Sequence, residues 1–168
     1  MESIHPILVH FPLALLTASF LVEGLAIALR RPALHAVSLW NLALGTLGAV
    51  GAVLSGRQAM ALAKHSMEIH EVMELHEKMG YLVLIGAVLV LAWRVLTGGS
   101  VGPRSRWAAW LALGLVCGGM VYGAYLGGRM VYEFGVGGTY GHSSGIEVVP
   151  VPGTSQLRES VPGTGHGG

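Results

Sequence analysis

The chain has 168 residues, of which 52% are hydrophobic and only 11% charged, with a mean hydropathy of +0.61. A water-soluble domain of this length carries far more charge, so the solvent for most of the chain is a bilayer. A net charge of +1 gives no footing for nucleic acid, and the single cysteine, Cys117, excludes an intrachain disulfide and a CxxCH attachment site for covalent haem.

Four apolar blocks, at about 7–29, 33–54, 79–96 and 107–126, each approach the ~20 residues that a spanning helix needs. The expected fold is therefore all-α: a four-transmembrane-helix, up-down-up-down bundle over residues 1–136, with a Gly/Pro-rich flexible tail over 137–168. The opening MESIHP has no basic n-region, so it does not read as a secretory signal. Arg30-Arg31 and the run Arg94, Arg104, Arg106 place two loops in the cytoplasm by the positive-inside rule. Both termini and the stretch His65–Met79 then face the periplasm of an inner membrane, and Glu23 is the one acidic residue within a span.

The first span opens SIHPILVHFPLALL. Pro6 suits a helix start, while Pro12 removes a donor from inside the first turns and leaves the Leu8 carbonyl in need of another. His10 shares a face with Leu13, Thr17, Leu21 and Gly24, and His5 lies about 140° away round the helix, so both cannot point at one partner. The second span is rich in Gly, Ala and Ser from Gly45 to Gly56, which marks a close-packing helix, and His35 stands at its cytoplasmic mouth as an interfacial residue.

The stretch HSMEIHEVMELHEKM precedes the third span as an amphipathic outer extension of it. Lys64, Glu68, Glu71 and Lys78 mark its wet side, whereas His65, Ile69, Val72, Met73, His76 and Gly80 mark the apolar side. His65 and His76 are about 20° apart on that side, and His70 projects with Glu74 and Glu77 on the wet flank. In the fourth span, Trp107 and Trp110 are interfacial anchors, and glycines at 114, 118, 119, 123 and 127 form a packing seam.

Facing helices of a bundle are where cofactor ligands are placed. His10 and His76 project from apolar faces near the outer surface, a pattern suited to two axial imidazoles for one non-covalent haem b, with His65 as the reserve ligand. The competing reading makes His10 and His76 interfacial histidines bonded to backbone. Glu23 is either a proton or quinone group or a carboxylate that snorkels or pairs inside the bundle. His65, His70, Glu71 and Glu74 could instead hold copper, zinc or non-haem iron, although the Glu-x-x-His pattern of di-iron bundles is missing.

The segment from Ile4 to Ala14, IHPILVHFPLA, together with Ser55-Gly56, the third-span histidine and GGRMVYEFGVG from Gly127 to Gly137, resembles the bacterial membrane family called domain of unknown function 2231. The resemblance covers roughly residues 4–137. It implies a four-helix integral membrane domain with no settled activity, joined in some other proteins to cytochrome-c-like domains, with His5, Pro6, His10, Pro12, His76, Gly128 and Tyr132 as motif positions.

The function expected from these readings is electron transfer through one haem near the periplasmic face. The chain would act in a larger membrane redox complex, with quinol or a periplasmic cytochrome as partner, and would not be an enzyme by itself. A cofactor-free structural subunit and a periplasm-facing metal-binding protein are the alternatives.

Overall fold

A computed structural model describes residues 4–62, 67–97 and 103–133. They form five helices: α1 (His5–Leu8), α2 (His10–Leu29), α3 (Pro32–Leu62), α4 (Met67–Leu96) and α5 (Pro103–Tyr132). Four candidate spans, His5–Leu29, Pro32–Met60, His70–Leu96 and Arg104–Tyr132, are long and apolar enough to cross a membrane. The protein is thus an all-α, four-helix membrane protein. The helices outrun the apolar blocks, most of all in α4, where the amphipathic stretch from Met67 is continuous with the third span.

Pro12 explains why α1 and α2 are separate. Its ring meets the carbonyl four residues back and supplies no N–H, and the break falls at Val9, just after Leu8. Val9 keeps helical dihedrals (φ −66°, ψ −21°), so α1 runs on nearly in line with α2. At the other end, Arg30 takes a left-handed conformation (φ 53°, ψ 40°) and closes the helix, with the Arg31 N–H donating to the Ala26 carbonyl at 3.1 Å. Pro32 then begins α3, where a missing N–H costs nothing.

Among the described residues, α2 and α4 each pack against α3 and α5, and α1 packs on α3. The four long helices therefore stand in a square with α2 and α4 on one diagonal. Leu16, Leu42, Ala87, Val90, Leu113 and Val116 form its apolar core. Large apolar side chains such as Leu21, Leu47, Leu82 and Leu115 instead face outward, where lipid covers them at no cost.

Close approach is made by small residues. A Cβ on Gly45 would sit 2.9 Å from Leu16 Cδ2, and one on Gly48 would sit 3.2 Å from Pro12 Cδ, so these two glycines set the distance between α2 and α3. Ser19 and Ser38 fasten the same pair of helices. Each hydroxyl reaches the other's carbonyl, at 2.8 and 3.0 Å, which satisfies both hydroxyls in a site with no access to water. Between α5 and α4, Gly119, Gly123 and Gly127 face Val83, Met79 and His76 in turn. Trp110 is turned inward: its ring stacks on Phe20 at 4.9 Å and its N–H donates to the Phe20 carbonyl at 3.1 Å.

Candidate functional site: a histidine pair at one end and a buried ion network at the other

His5 and His76 meet at the end of the bundle where α1 begins. Their ring centroids are 6.3 Å apart and the ring planes are perpendicular, at 89°. His5 comes from the outer turn of the first span and His76 from α4, so the pair bridges the α2–α4 diagonal. Each ring is held by its Nδ1. His76 Nδ1 lies 2.9 Å from the Gly123 carbonyl, which can only accept, so that nitrogen carries the proton. His5 Nδ1 lies 3.0 Å from Ser55 Oγ, and the Ser55 hydroxyl gives its own hydrogen to the Ala52 carbonyl. With its proton on Nδ1, a neutral His76 ring carries its lone pair on Nε2.

Glycine makes this arrangement possible on both sides. A Cβ on Gly56 would be 3.1 Å from His5 Cε1, and a Cβ on Gly127 would be 3.3 Å from His76 Cε1. The helix backbones of α3 and α5 come up against the two rings because no side chain stands between them.

His10, which the sequence reading pairs with His76, projects from the exposed side of α2. Its Nδ1 is 2.6 Å from the Pro6 carbonyl, one turn back on its own chain. The imidazole that meets His76 is His5. His65, the reserve ligand, lies outside the described residues. His70, Glu71 and Glu74 are on the exposed side of α4, with Glu74 paired to Lys78 at 2.7 Å. Among the described residues no three His, Cys, Asp or Glu side chains gather as metal ligands. Of the motif positions, Pro6 is exposed, Pro12 is buried against Gly48, Gly128 faces open space and Tyr132 is exposed. Beside Tyr132, Arg129 binds the Glu133 carboxylate with two nitrogens at 2.7 to 3.0 Å and holds it below the ordinary carboxylate range.

The opposite end holds a network that sequence reasoning did not assemble. Glu23 on α2 is only 4% exposed. Its Oε1 accepts from His35 Nδ1 at 2.8 Å, and its Oε2 is 2.7 Å from Arg94 Nη2. Arg94 points its N–H groups elsewhere, at the Ser38 hydroxyl (2.9 Å) and the His35 carbonyl (3.1 Å). Oε2 is thus charge-paired, yet no described donor aims a hydrogen at it. Of the two possibilities that the sequence leaves for Glu23 within the bundle, it pairs; Arg94, expected in a loop, is the cation that meets it from the last turn of α4. A cavity of about 200 Å³ opens beside this network, lined in part by Trp93, Thr97, Ser105 and Arg106.

The profile of a family described as predicted membrane protein, DUF2231, matches residues 1–140. The chain belongs to this family. The match spans all the described helices and both ends of the bundle, the histidine pair and the ion network alike. Membership of DUF2231 establishes a membrane protein and assigns it no activity. Comparison with curated proteins and with solved structures gives no match.

Proposed function

We propose that this chain is an electron-transfer subunit of a bacterial inner-membrane redox assembly, binding one b-type haem between His5 and His76. The ring pair carries the reading. At 6.3 Å the centroids are too far apart for a direct imidazole–imidazole hydrogen bond. Two imidazoles on one metal ion, with nitrogen–metal bonds of about 2.0–2.1 Å and ring centres about 1.2 Å behind each nitrogen, have centroids about 6.4 Å apart. The observed separation fits that arrangement.

The partners of Nδ1 support the same reading. Metal-bound histidines characteristically donate their other N–H to a carbonyl or similar acceptor, which orients the ring and raises its basicity as a ligand. Gly123 O does this for His76 and Ser55 Oγ for His5. The donor count favours haem over copper, zinc or non-haem iron. A site of those ions draws on three or four protein ligands, and the described residues bring no third to the pair. Haem needs only axial ligands from the protein, and when bound it supplies one-electron chemistry.

The excess of arginine at the other end orients the histidine end toward the periplasm. His35 is bonded to Glu23, which supports a relay with one haem. Such a relay takes electrons from quinol or a neighbouring subunit and passes them to a periplasmic acceptor. The test is the haem content of the purified protein with its reduced-minus-oxidised spectrum: about one haem per chain with b-type bands supports the reading. A haem-free preparation from cells supplied with haem precursors returns the pair to a packing role, with the rings bridged by water.

A further inference from the structure

The two rings of the histidine pair are carried by parts of the chain that differ in firmness. His76 is the tenth residue of the thirty in α4, a helix packed against both α3 and α5. The Gly123 carbonyl that holds its ring belongs to the interior of α5. One turn before it Met73 is 3% exposed, and one turn after it Met79 lies against Gly119 and Gly123. His76 cannot withdraw unless α4 leaves the bundle.

His5 is carried by α1, which has four residues, buries none of them fully and has no side-chain cap on its first turn. Pro6 is exposed, and Ile4 and Ile7 are 61% and 67% exposed. The join to α2 is short of one hydrogen bond, because Pro12 has no N–H to give the Leu8 carbonyl. The bonds of the turn itself run from the Ile7 and Leu8 N–H groups to the Ile4 carbonyl and from the Val9 N–H to the His5 carbonyl, at 3.1 to 3.2 Å. The ring is held from α3, by the Ser55 hydroxyl at 3.0 Å with the Ala52 carbonyl beside it. A turn that buries so little opens at small cost, whereas a helix packed on two neighbours opens only with the bundle.

A His5 ring that swings out vacates a space. The bare backbone of Gly56 forms its wall, since a Cβ there would be 3.1 Å from His5 Cε1, and the Ser55 hydroxyl stands at its edge. The space is that of one neutral imidazole. An anion entering it would give up its hydration to an apolar bundle, a cost that a neutral molecule escapes.

We propose that His5 is an exchangeable ligand, and that the site takes in its place a neutral molecule no larger than imidazole that offers one lone pair, such as carbon monoxide, while His76 stays bound. The proposal rests on the haem reading of the pair. The exchange breaks one bond, from iron to a His5 ring nitrogen, and forms one, from iron to the incoming lone pair; no electron and no proton is transferred. The apparent affinity is the intrinsic affinity multiplied by the fraction of molecules in which α1 is open.

The experiment mixes the reduced full chain, in detergent, with carbon monoxide and follows the Soret band. The observed rate rises with carbon monoxide to a plateau, which is the rate at which His5 leaves. Ser55→Ala removes a hydrogen bond that holds His5 and raises the apparent affinity about two- to tenfold. Pro12→Ala restores the N–H to the Leu8 carbonyl, joins α1 to α2 and lowers the plateau. In the oxidised protein imidazole binds and azide does not compete with it. A measurement independent of ligand uptake is amide hydrogen exchange of the full chain, in which Ile7, Leu8 and Val9 exchange at least about a hundredfold faster than residues 76–80. Should a variant fail to fold, the plateau and the exchange rates still decide the matter. A b-type haem that takes up no carbon monoxide, a Ser55→Ala protein with unchanged affinity, or α1 amides as protected as those of α4 overturns the inference and leaves the haem reading standing. A rate that stays linear in carbon monoxide shows His5 off the iron from the start and overturns both, as does a protein purified without haem. Azide that matches imidazole overturns the restriction to neutral ligands.

Discussion

Replacing Arg94 by Met is the sharpest perturbation of the fold. It keeps the length and apolar stem of the side chain but removes the guanidinium that, among the described residues, pairs with a carboxylate that is 4% exposed. Arg94 itself is 13% exposed at the side chain and His35 19%, so solvent screens the network little. Breaking a buried ion pair from one side costs about 3–5 kcal/mol, because a charge is left without a counterion. The Ser38 hydroxyl loses a donor as well, but it keeps its bonds to Ser19, and the His35 carbonyl lies in the first turns of α3, so these add little. Arg94→Met should therefore lose about 3–5 kcal/mol in reversible denaturation followed by circular dichroism in detergent. Replacing both members, Glu23→Met with Arg94→Met, should recover most of that loss, since an apolar pair of similar volume is often as stable as a buried ion pair. A single-variant cost below about 1 kcal/mol, or a double variant worse than either single, would refute the reasoning that the pair is buried and mutually dependent.

The helix seams give further predictions. Gly45→Ala places a methyl 2.9 Å from Leu16 Cδ2 and 3.1 Å from the Leu16 backbone nitrogen, which cannot give way, and should destabilise by about 1–3 kcal/mol in the same assay. Gly118→Ala meets nothing within 4 Å and should be neutral or stabilising by up to about 1 kcal/mol, through helix propensity alone. Gly127→Ala brings a methyl to 3.3 Å from His76 Cε1, so it should leave the fold intact while shifting the visible spectrum or lowering the haem content of the purified protein. Glu133→Gln removes an exposed ion pair with Arg129, and thermal unfolding should show no change in midpoint.

The number of spans, the all-α class and the continuity of the amphipathic stretch with α4 were legible because hydropathy and helical period report them directly. The inward turn of His76 was legible for the same reason: Glu71, Glu74 and Lys78 put charge on one side of that stretch, and the opposite, apolar side packs inward. Within the first span that rule fails, because lipid makes the outward face the more apolar one. The apolar face that led to His10 runs through Leu13 and Leu21, yet Leu21 faces lipid. The interior stripe is Pro12, Leu16, Ser19, Glu23 and Ala26, mostly small or polar residues. His5, Pro12, Ser19 and Ala26 stand seven residues apart, so they stay within about 20° per step of one face. That heptad of small and polar positions was the available signal for His5. The Glu23–Arg94 pair had a signal too: one acid inside the first span and one arginine in the last turn of the third, at matching depth if the helices run antiparallel. What no sequence pattern showed was that α2 and α3 place His35 beside them.

The proposed relay depends above all on His5 and His76 acting together as the ligands of one haem. The direct measurement compares His5→Ala, His76→Ala and His10→Ala proteins, each purified from haem-supplied cells, by reduced-minus-oxidised spectra with and without added imidazole. The prediction is that the first two lose the b-type bands, that imidazole restores them in part, and that His10→Ala keeps a wild-type spectrum. Loss of the bands in His10→Ala with retention in His5→Ala, or no haem in the unmodified protein, would contradict it.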